Sequence, residues 1–404
     1  MIEAPRTMLL QSPFAELDFD AFHRIELPAR LAAGNGRIAA RDARRRAPIA
    51  FALPDRRAYT FAAPDAGIEI VSGSESAATI VELEARDWQD FVHELHTAAG
   101  LLYGRRLRFP RGSYADLELW EPALRATFDG RPIYDPARFE LRDANGAPLD
   151  PNERFTLDDS GDRLRRFLEQ AGFLLVKHVF SPAEVATLAR AADSLATAAT
   201  PGDRASWWAR DATGKEVLCR ITYAGRRSAE VAALDDDARI RALGALAGAD
   251  LRPAPDRCDG HSIVIKNAAV VEGLSDLPWH RDCGLGGHPI MCPNVQVGIQ
   301  LDHANAESGQ LHFLAGSWRA SCHRDDIESA ARRHVVALDT EPGDCTVHFG
   351  DAMHAAPPPR GHGPGRRALY VSFFSERVFS LIGPGQGYND VLLTRDDGLV
   401  EATH

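Results

Sequence analysis

The segment NVQVGIQLD (294–302) alternates without a break: Val295, Val297, Ile299 and Leu301 fall on one face, Asn294, Gln296, Gly298 and Gln300 on the other. Such a strand suits a sheet that packs on helices through one face and lines a wet space with the other. Upstream, RLRRFLEQAG reads as a helix closed by Gly172, a residue at ease in a left-handed C-cap, and FLLVKHV follows as a strand. Ser181, Pro182 and Glu184 then spell a capping box with proline in the first turn, opening a second helix. HVVALDTEPGDCTVHF and RRALYVSFF add further strands. Helices first and a β-rich half afterwards predict a double-sheet jelly roll over residues 160–404.

The first part of the chain follows a different rhythm. GIEIVSG (67–73) and AATIVELEA (77–85) read as strands. In ARDWQDFVHELHTAAGLL, Trp88, Phe91, Val92 and Leu95 recur at helical spacing, predicting one amphipathic helix. GRRLRFPRG and YADLELW read as short strands, so residues 1–130 form a smaller α+β domain. Residues 131–159, dense in Pro, Gly, Asp and Asn, read as a linker. The fold class expected for the whole chain is therefore α+β.

Composition narrows the function. With 46 basic against 57 acidic residues among 404, the formal charge is −11, which argues against a nucleic-acid partner. The basic run RDARRR (41–46) reads as a solvated face. No run of 18 apolar residues and no secretory leader is visible, so neither a membrane span nor export is expected. The six cysteines are scattered without a C-x-x-C pair, which fits reduced thiols and a cytoplasmic location.

His-x-Asp occurs twice, as His280-Arg281-Asp282 and as His323-Arg324-Asp325. On a strand, residues i and i+2 point to the same side, so either pair could share one metal ion. A third ligand would come from His348, His354 or His362. Two imidazoles and one carboxylate leave half of an octahedral ion open, the arrangement of non-haem Fe(II) oxygenases. A 2-oxo acid bound there needs a cation for its far carboxylate, and Arg366 or Arg367 could present the required fork. His93 and His96 offer a weaker pair with no third ligand nearby.

Taken in order, FLEQAGFLLVKHVFSPAEVATLARAAD, LPWHRD, LDHANAESGQLHFLAGSW, EPGD and RRALYVSFF resemble the phytanoyl-CoA dioxygenase family of Fe(II)- and 2-oxoglutarate-dependent oxygenases, over residues 160–380. The resemblance implies a cupin-like double-stranded β-helix. It implies His280, Asp282 and His354 as ligands of Fe(II), and Arg366 as the anchor of 2-oxoglutarate, with dioxygen as the second co-substrate. His323 and Asp325 become a decoy, and His348 a pocket or core residue where the family is usually apolar. Lys266 and Gln296 are further residues that could touch the oxo acid or the substrate. Two positions depart from the family: Ala356 replaces a small hydroxyl residue, and Gly298 stands where some members carry a bulky aromatic.

The implied reaction is hydroxylation of an unactivated C–H in a small organic or lipid-like substrate, with release of succinate and CO2. Asp282 favours hydroxylation over halogenation, since related halogenases lack this carboxylate. A jelly-roll metalloprotein with non-oxidative chemistry, or a lipid-binding protein with an idle oxygenase half, are the alternatives. Residues 45–128 resemble, more loosely, sterol-carrier-protein-2-like domains, which would imply an apolar cavity.

Overall fold

A computed structural model of the chain describes residues 15–376, except 45, 65–66, 144, 257–258, 268–269, 273–276, 283–293, 324–326, 328–333 and 361–364. His362 and Asp325 thus lie outside the described residues. The chain divides into two compact units. One contains the residues up to Phe139 and the stretch that begins at Arg319; the other contains Glu140–Asp282, the segment ending at Trp318, and the C-terminal strands. No helix among the described residues is long and apolar enough to cross a membrane.

In the first unit, β1 (Ile49–Ala52), β2 (Ala58–Ala62), β3 (Glu69–Ser72), β4 (Thr79–Leu83) and β5 (Leu107–Arg111) form one sheet in the order β3-β2-β1-β4-β5. β1 and β4 run parallel, and the other pairs are antiparallel. Phe22, Phe51, Phe61, Trp88, Phe91 and Phe128 fill the core.

Two expectations fail here. The single helix predicted across Trp88–Leu95 is two, Ala85–Val92 and Ala98–Tyr103, broken at Glu94 with φ +60°. Buried charges explain the break. Glu94 pairs with Arg131 at 3.0 Å, and the Arg125 guanidinium donates to the carbonyls of Phe91 and His96. YADLELW is not a strand but the start of a helix, Tyr114–Asp129, opened by a Ser113/Asp116 capping box. Leu117, Trp120 and Leu124 are buried while Leu119 is exposed, a helical period that a short window hides. His93 and His96 are not brought together on a helix: His93 contacts the Ala15 carbonyl at 2.8 Å and His96 the Arg106 guanidinium at 3.3 Å.

His23 is buried in this unit, stacked on Tyr59 with ring centroids 4.2 Å apart. Burial pushes its pKa down from 6.5 to about 4, partly offset by its contact with the Phe19 carbonyl. The unfolded chain therefore binds a proton that the folded chain refuses. The resulting stability is complete above pH 6.5 and is lost as pH falls towards 4, up to about 3 kcal/mol. Thermal midpoints measured from pH 7.5 to 4.5 should fall less steeply in His23→Phe than in the parent protein.

In the second unit the strands are β6 (Phe173–Val176), β7 (Ser206–Asp211), β8 (Glu216–Ile221), β9 (Arg252–Pro253), β10 (Ser262–Ile265), β11 (Val270–Glu272), β12 (Leu277–His280), β13 (Val295–Gln300), β14 (His312–Leu314), β15 (Val335–Ala337), β16 (Cys345–Phe349), β17 (His354–Ala356) and β18 (Arg367–Phe374). The larger sheet runs β11-β7-β8-β10-β18-β13-β16-β6, with β9 added beside β18; the smaller runs β12-β17-β14-β15. This is the double-sheet, jelly-roll architecture expected from the alternating strands.

The register of β13 shows why it alternates. Val297 lies between Val347 and Val371 on the apolar face, with the helix Ala238–Gly244 packed on β13. Gln296, between His348 and Ser372, belongs to the opposite face. Both predicted caps are present: Gly172 adopts φ +86°, and Ser181 and Glu184 cap each other's backbone. Gly172 is constrained twice, because a Cβ there would also lie 2.6 Å from the Trp318 ring.

The stretch read as a linker is not free chain. Phe155 is buried, packs on Phe167 at 4.8 Å and donates its N–H to Leu175 in β6. Tyr134 instead donates to the Ser321 carbonyl, within the first unit. The linear division at 130 and 160 therefore misses that a later segment, from Arg319, helps to build the first unit.

Candidate functional site

β12 and β17 are antiparallel neighbours, and His280 and His354 stand directly opposite each other. Opposed residues in such a pair have Cβ atoms about 5 Å apart, close enough for two imidazoles to aim at one point. Their ring centroids are 4.2 Å apart. Asp282 comes two residues after His280, just past the end of β12. Its Oδ1 lies 3.5 Å from His280 Nε2 and 3.8 Å from His354 Nε2. One donor atom from each residue falls within 4.8 Å of the other two.

The electrostatics suit a cation. Burial pushes His354 down to about 3, with His280 adding to the effect, so its imidazole stays neutral and its lone pair free. Burial works to raise the Asp282 carboxyl, but His354, His280 and His348 outweigh it and hold it well below the usual carboxylate range. Two imidazoles and a carboxylate form the donor set that divalent iron takes.

Arg281, between the two, faces away from them. Its guanidinium donates to the carbonyls of Asp351 and Ser317, tying the His-x-Asp segment to the approaches of β17. His354 is buttressed on the other side by Phe313, which opposes it in β14 and stacks on Phe173 at 4.6 Å.

The second His-x-Asp copy is used differently. His323 Nε2 lies 2.7 Å from Asp42, with Arg46 at 3.3 Å, inside the first unit. The run RDARRR is thus partly neutralised, with Arg46 paired to Asp42 and Arg41 to Asp135.

Arg366 and Arg367 part company as alternation requires. Arg367 is partly exposed and makes a two-pronged pair with Asp302 at 2.8 and 3.0 Å. Arg366 is buried; its Nε donates to the Gly309 carbonyl at 2.8 Å, and its Nη1 has no partner among the described residues. Among the described residues no ion pair compensates it, and the Tyr370 hydroxyl lies beside it. Desolvation lowers its pKa. A buried guanidinium without a counter-ion is costly, and an anionic ligand would relieve it.

Lys266 is buried with its ammonium against the Ala356 carbonyl, joining β17 to the strand end where Lys266 N–H donates to the Arg366 carbonyl. Gln296 accepts from the Ser372 hydroxyl at 2.6 Å. Arg366 and Gln296 thus share the polar face of the larger sheet, while the Lys266 ammonium is engaged by the backbone.

Of two further neighbours of the site, Tyr370 is not singled out by the sequence, and His348 reads there as a pocket or core residue. Tyr370 opposes Gly298, where a Cβ would lie 2.6 Å from the tyrosine ring. Gly298 makes room for the Tyr370 ring, which β18 supplies. Gly298→Ala should therefore displace Tyr370 and weaken 2-oxoglutarate by several-fold in KM, with Fe(II) affinity unchanged by anaerobic titration. His348, on β16, places Nε2 3.5 Å from Asp282 Oδ2. Strand alternation could have found Tyr370, since it is four residues past Arg366.

Two facing sheets around a His-x-Asp and a distal histidine define the cupin-like fold of mononuclear non-haem iron oxygenases. Residues 168–368 match the family model described as phytanoyl-CoA dioxygenase (PhyH), and through this span the chain belongs to that family. It is a 2-oxoglutarate-dependent non-haem iron dioxygenase, an enzyme using Fe(II), 2-oxoglutarate and dioxygen. No curated protein sequence matches the chain. Among solved structures it is similar to EctD from S. alaskensis with 2-oxoglutarate and 5-hydroxyectoine, at 20% identity and TM-score 0.46, covering 61% of this chain and 83% of that one. It is also similar to the non-heme alpha ketoglutarate dependent epimerase SnoN from nogalamycin biosynthesis, at 20% identity and TM-score 0.44, covering 53% and 83%. The carbocyclase SnoK from the same biosynthesis aligns at 19% identity and TM-score 0.44, covering 57% and 87%.

Proposed function

We propose that His280, Asp282 and His354 hold Fe(II), that Arg366 anchors 2-oxoglutarate, and that the enzyme hydroxylates an unactivated C–H of a small organic or lipid-like substrate. The observation that carries this reading is the convergence of the three donor atoms within 4.8 Å, on the same unit as a buried Arg366 Nη1 that has no partner among the described residues. When bound, iron and the oxo acid supply the oxidising power: 2-oxoglutarate loses CO2 to become succinate as dioxygen is consumed.

The protein's own part is positioning. His280 and His354 present ring nitrogens from a strand pair. Asp282 supplies the single negative charge, and its presence supports hydroxylation rather than halide transfer. Arg366 offers Nη1 to the distal carboxylate of the oxo acid, steadied by Tyr370 and by the Gly309 carbonyl. Gln296 and Ser372 add a polar stretch to the same face, where a substrate hydroxyl or amide could bind.

The test is a screen of candidate substrates for succinate release with Fe(II), ascorbate and 2-oxoglutarate, followed by mass analysis for a gain of one oxygen. A product carrying halogen, or turnover without succinate, would overturn the assignment.

A further inference from the structure

His348 is buried in the second unit, at 2% exposure, and among the described residues neither ring nitrogen has a hydrogen-bond partner. Leaving both nitrogens of a buried imidazole unpaired is expensive, so the ring must be held for a purpose or satisfied by a ligand. Its ring neighbours are aromatic: the His354 imidazole lies 4.8 Å from it, Phe313 5.1 Å, and Tyr370 meets it edge-on at 6.3 Å, while Gln296 opposes it on β13.

The geometry around Asp282 is divided. Oδ1 faces His280 Nε2 and His354 Nε2, while Oδ2 faces His348 Nε2 at 3.5 Å. That last distance is long for a hydrogen bond, and a shift of about half an ångström closes it.

Resting on the iron reading above, we infer that His348 is a positioning residue for Asp282. It donates from Nε2 to the carboxylate oxygen that faces away from the two ligand histidines, leaving Oδ1 alone to meet the metal. A carboxylate free to rotate can bind through both oxygens and fill a coordination position that the oxo acid needs. One held by a donor on Oδ2 binds through one oxygen and keeps that position open. The neighbouring strand β16, rather than the loop after β12, thus sets the denticity of the aspartate.

The test compares His348→Phe, which keeps an aromatic ring beside Phe313 and Tyr370 but cannot donate, with His348→Gln, which restores an N–H donor. Anaerobic Fe(II) titration and the absorption spectrum of the Co(II)-substituted protein report on the site without turnover. His348→Phe is expected to weaken Fe(II) by about 10–100-fold, the usual effect of losing a group that orients a ligand. It should also alter the Co(II) bands, and His348→Gln should recover most of both.

If His348→Phe binds Fe(II) as tightly as the parent with an unchanged Co(II) spectrum, the inference is wrong and His348 is a core residue. If every His348 variant loses metal as completely as His280→Ala, His348 is itself a ligand and the inference is again wrong. Should His348→Phe fail to fold, His348→Gln and His348→Asn decide the matter: near-parental affinity in Gln and weakened affinity in Asn supports the inference, and equal affinities overturn it. Failure of the iron reading looks different, because His280→Ala would then bind Fe(II) like the parent.

Discussion

Alanine at His280, Asp282 or His354 is expected to abolish succinate release and to lower Fe(II) affinity by more than the roughly 100-fold typical of disturbing a supporting residue. Each replacement removes one of three donors from a set with no described substitute, and His348 is aimed at Asp282 rather than at the shared point. His323→Ala is the matched control. It breaks the 2.7 Å contact to Asp42 in the first unit, so it should cost about 1–3 kcal/mol of stability and leave Fe(II) binding alone. The two kinds of variant separate on two axes: iron content falls in one, the thermal midpoint in the other. Retention of iron by His280→Ala with its loss in His323→Ala would reverse the assignment.

Arg366→Ala should raise the KM for 2-oxoglutarate by at least about a hundredfold, in line with the 3–5 kcal/mol lost when one member of a buried charged pair is removed. Fe(II) binding should be nearly unchanged. Arg366→Lys keeps the charge but not the planar fork, and should fall between alanine and the parent. Arg367 provides the contrast, because its guanidinium is already occupied by Asp302 and lies partly in solvent. Arg367→Ala should cost at most about 1 kcal/mol of stability and leave the KM within a fewfold. Anaerobic titration of each variant with 2-oxoglutarate, following the charge-transfer band of the iron chelate, reads the effect directly. A dispensable Arg366 beside a critical Arg367 would mean the oxo acid lies on the other face of β18.

The jelly roll was legible because β13 alternates cleanly and because its partners do too; period two is a strong signal when one face is packed and the other wet. The caps at Gly172 and Ser181 were legible for a local reason, since they depend on residues within one turn. Residue chemistry alone could not choose between the two His-x-Asp copies. Family resemblance pointed to the first, and the structure shows it paired across β12 and β17 while the second pairs with Asp42. What stayed hidden was non-local. The break at Glu94 depends on Arg131 and Arg125, residues 31 to 37 positions later, which no window on Trp88–Leu95 contains. The contact of His348 with Asp282 stayed hidden because Asp282 sits 66 positions away on the chain and meets it only once β16 and the end of β12 are in place.

The segment from Arg319 carries a consequence for how the protein is made. Ser321 bridges Ile133, and His323 meets Asp42 and Arg46, so the first unit holds residues nearly 300 positions apart in the chain. During synthesis from the N-terminus, its sheet and aromatic core can assemble early, but its last partners emerge only after most of the oxygenase strands have been made. The unit that begins first is completed late. A fragment ending near residue 139 would expose the uncovered Asp42 and the edge at Ile133, and one starting near residue 152 would carry Ser321 and His323 without the residues they bind.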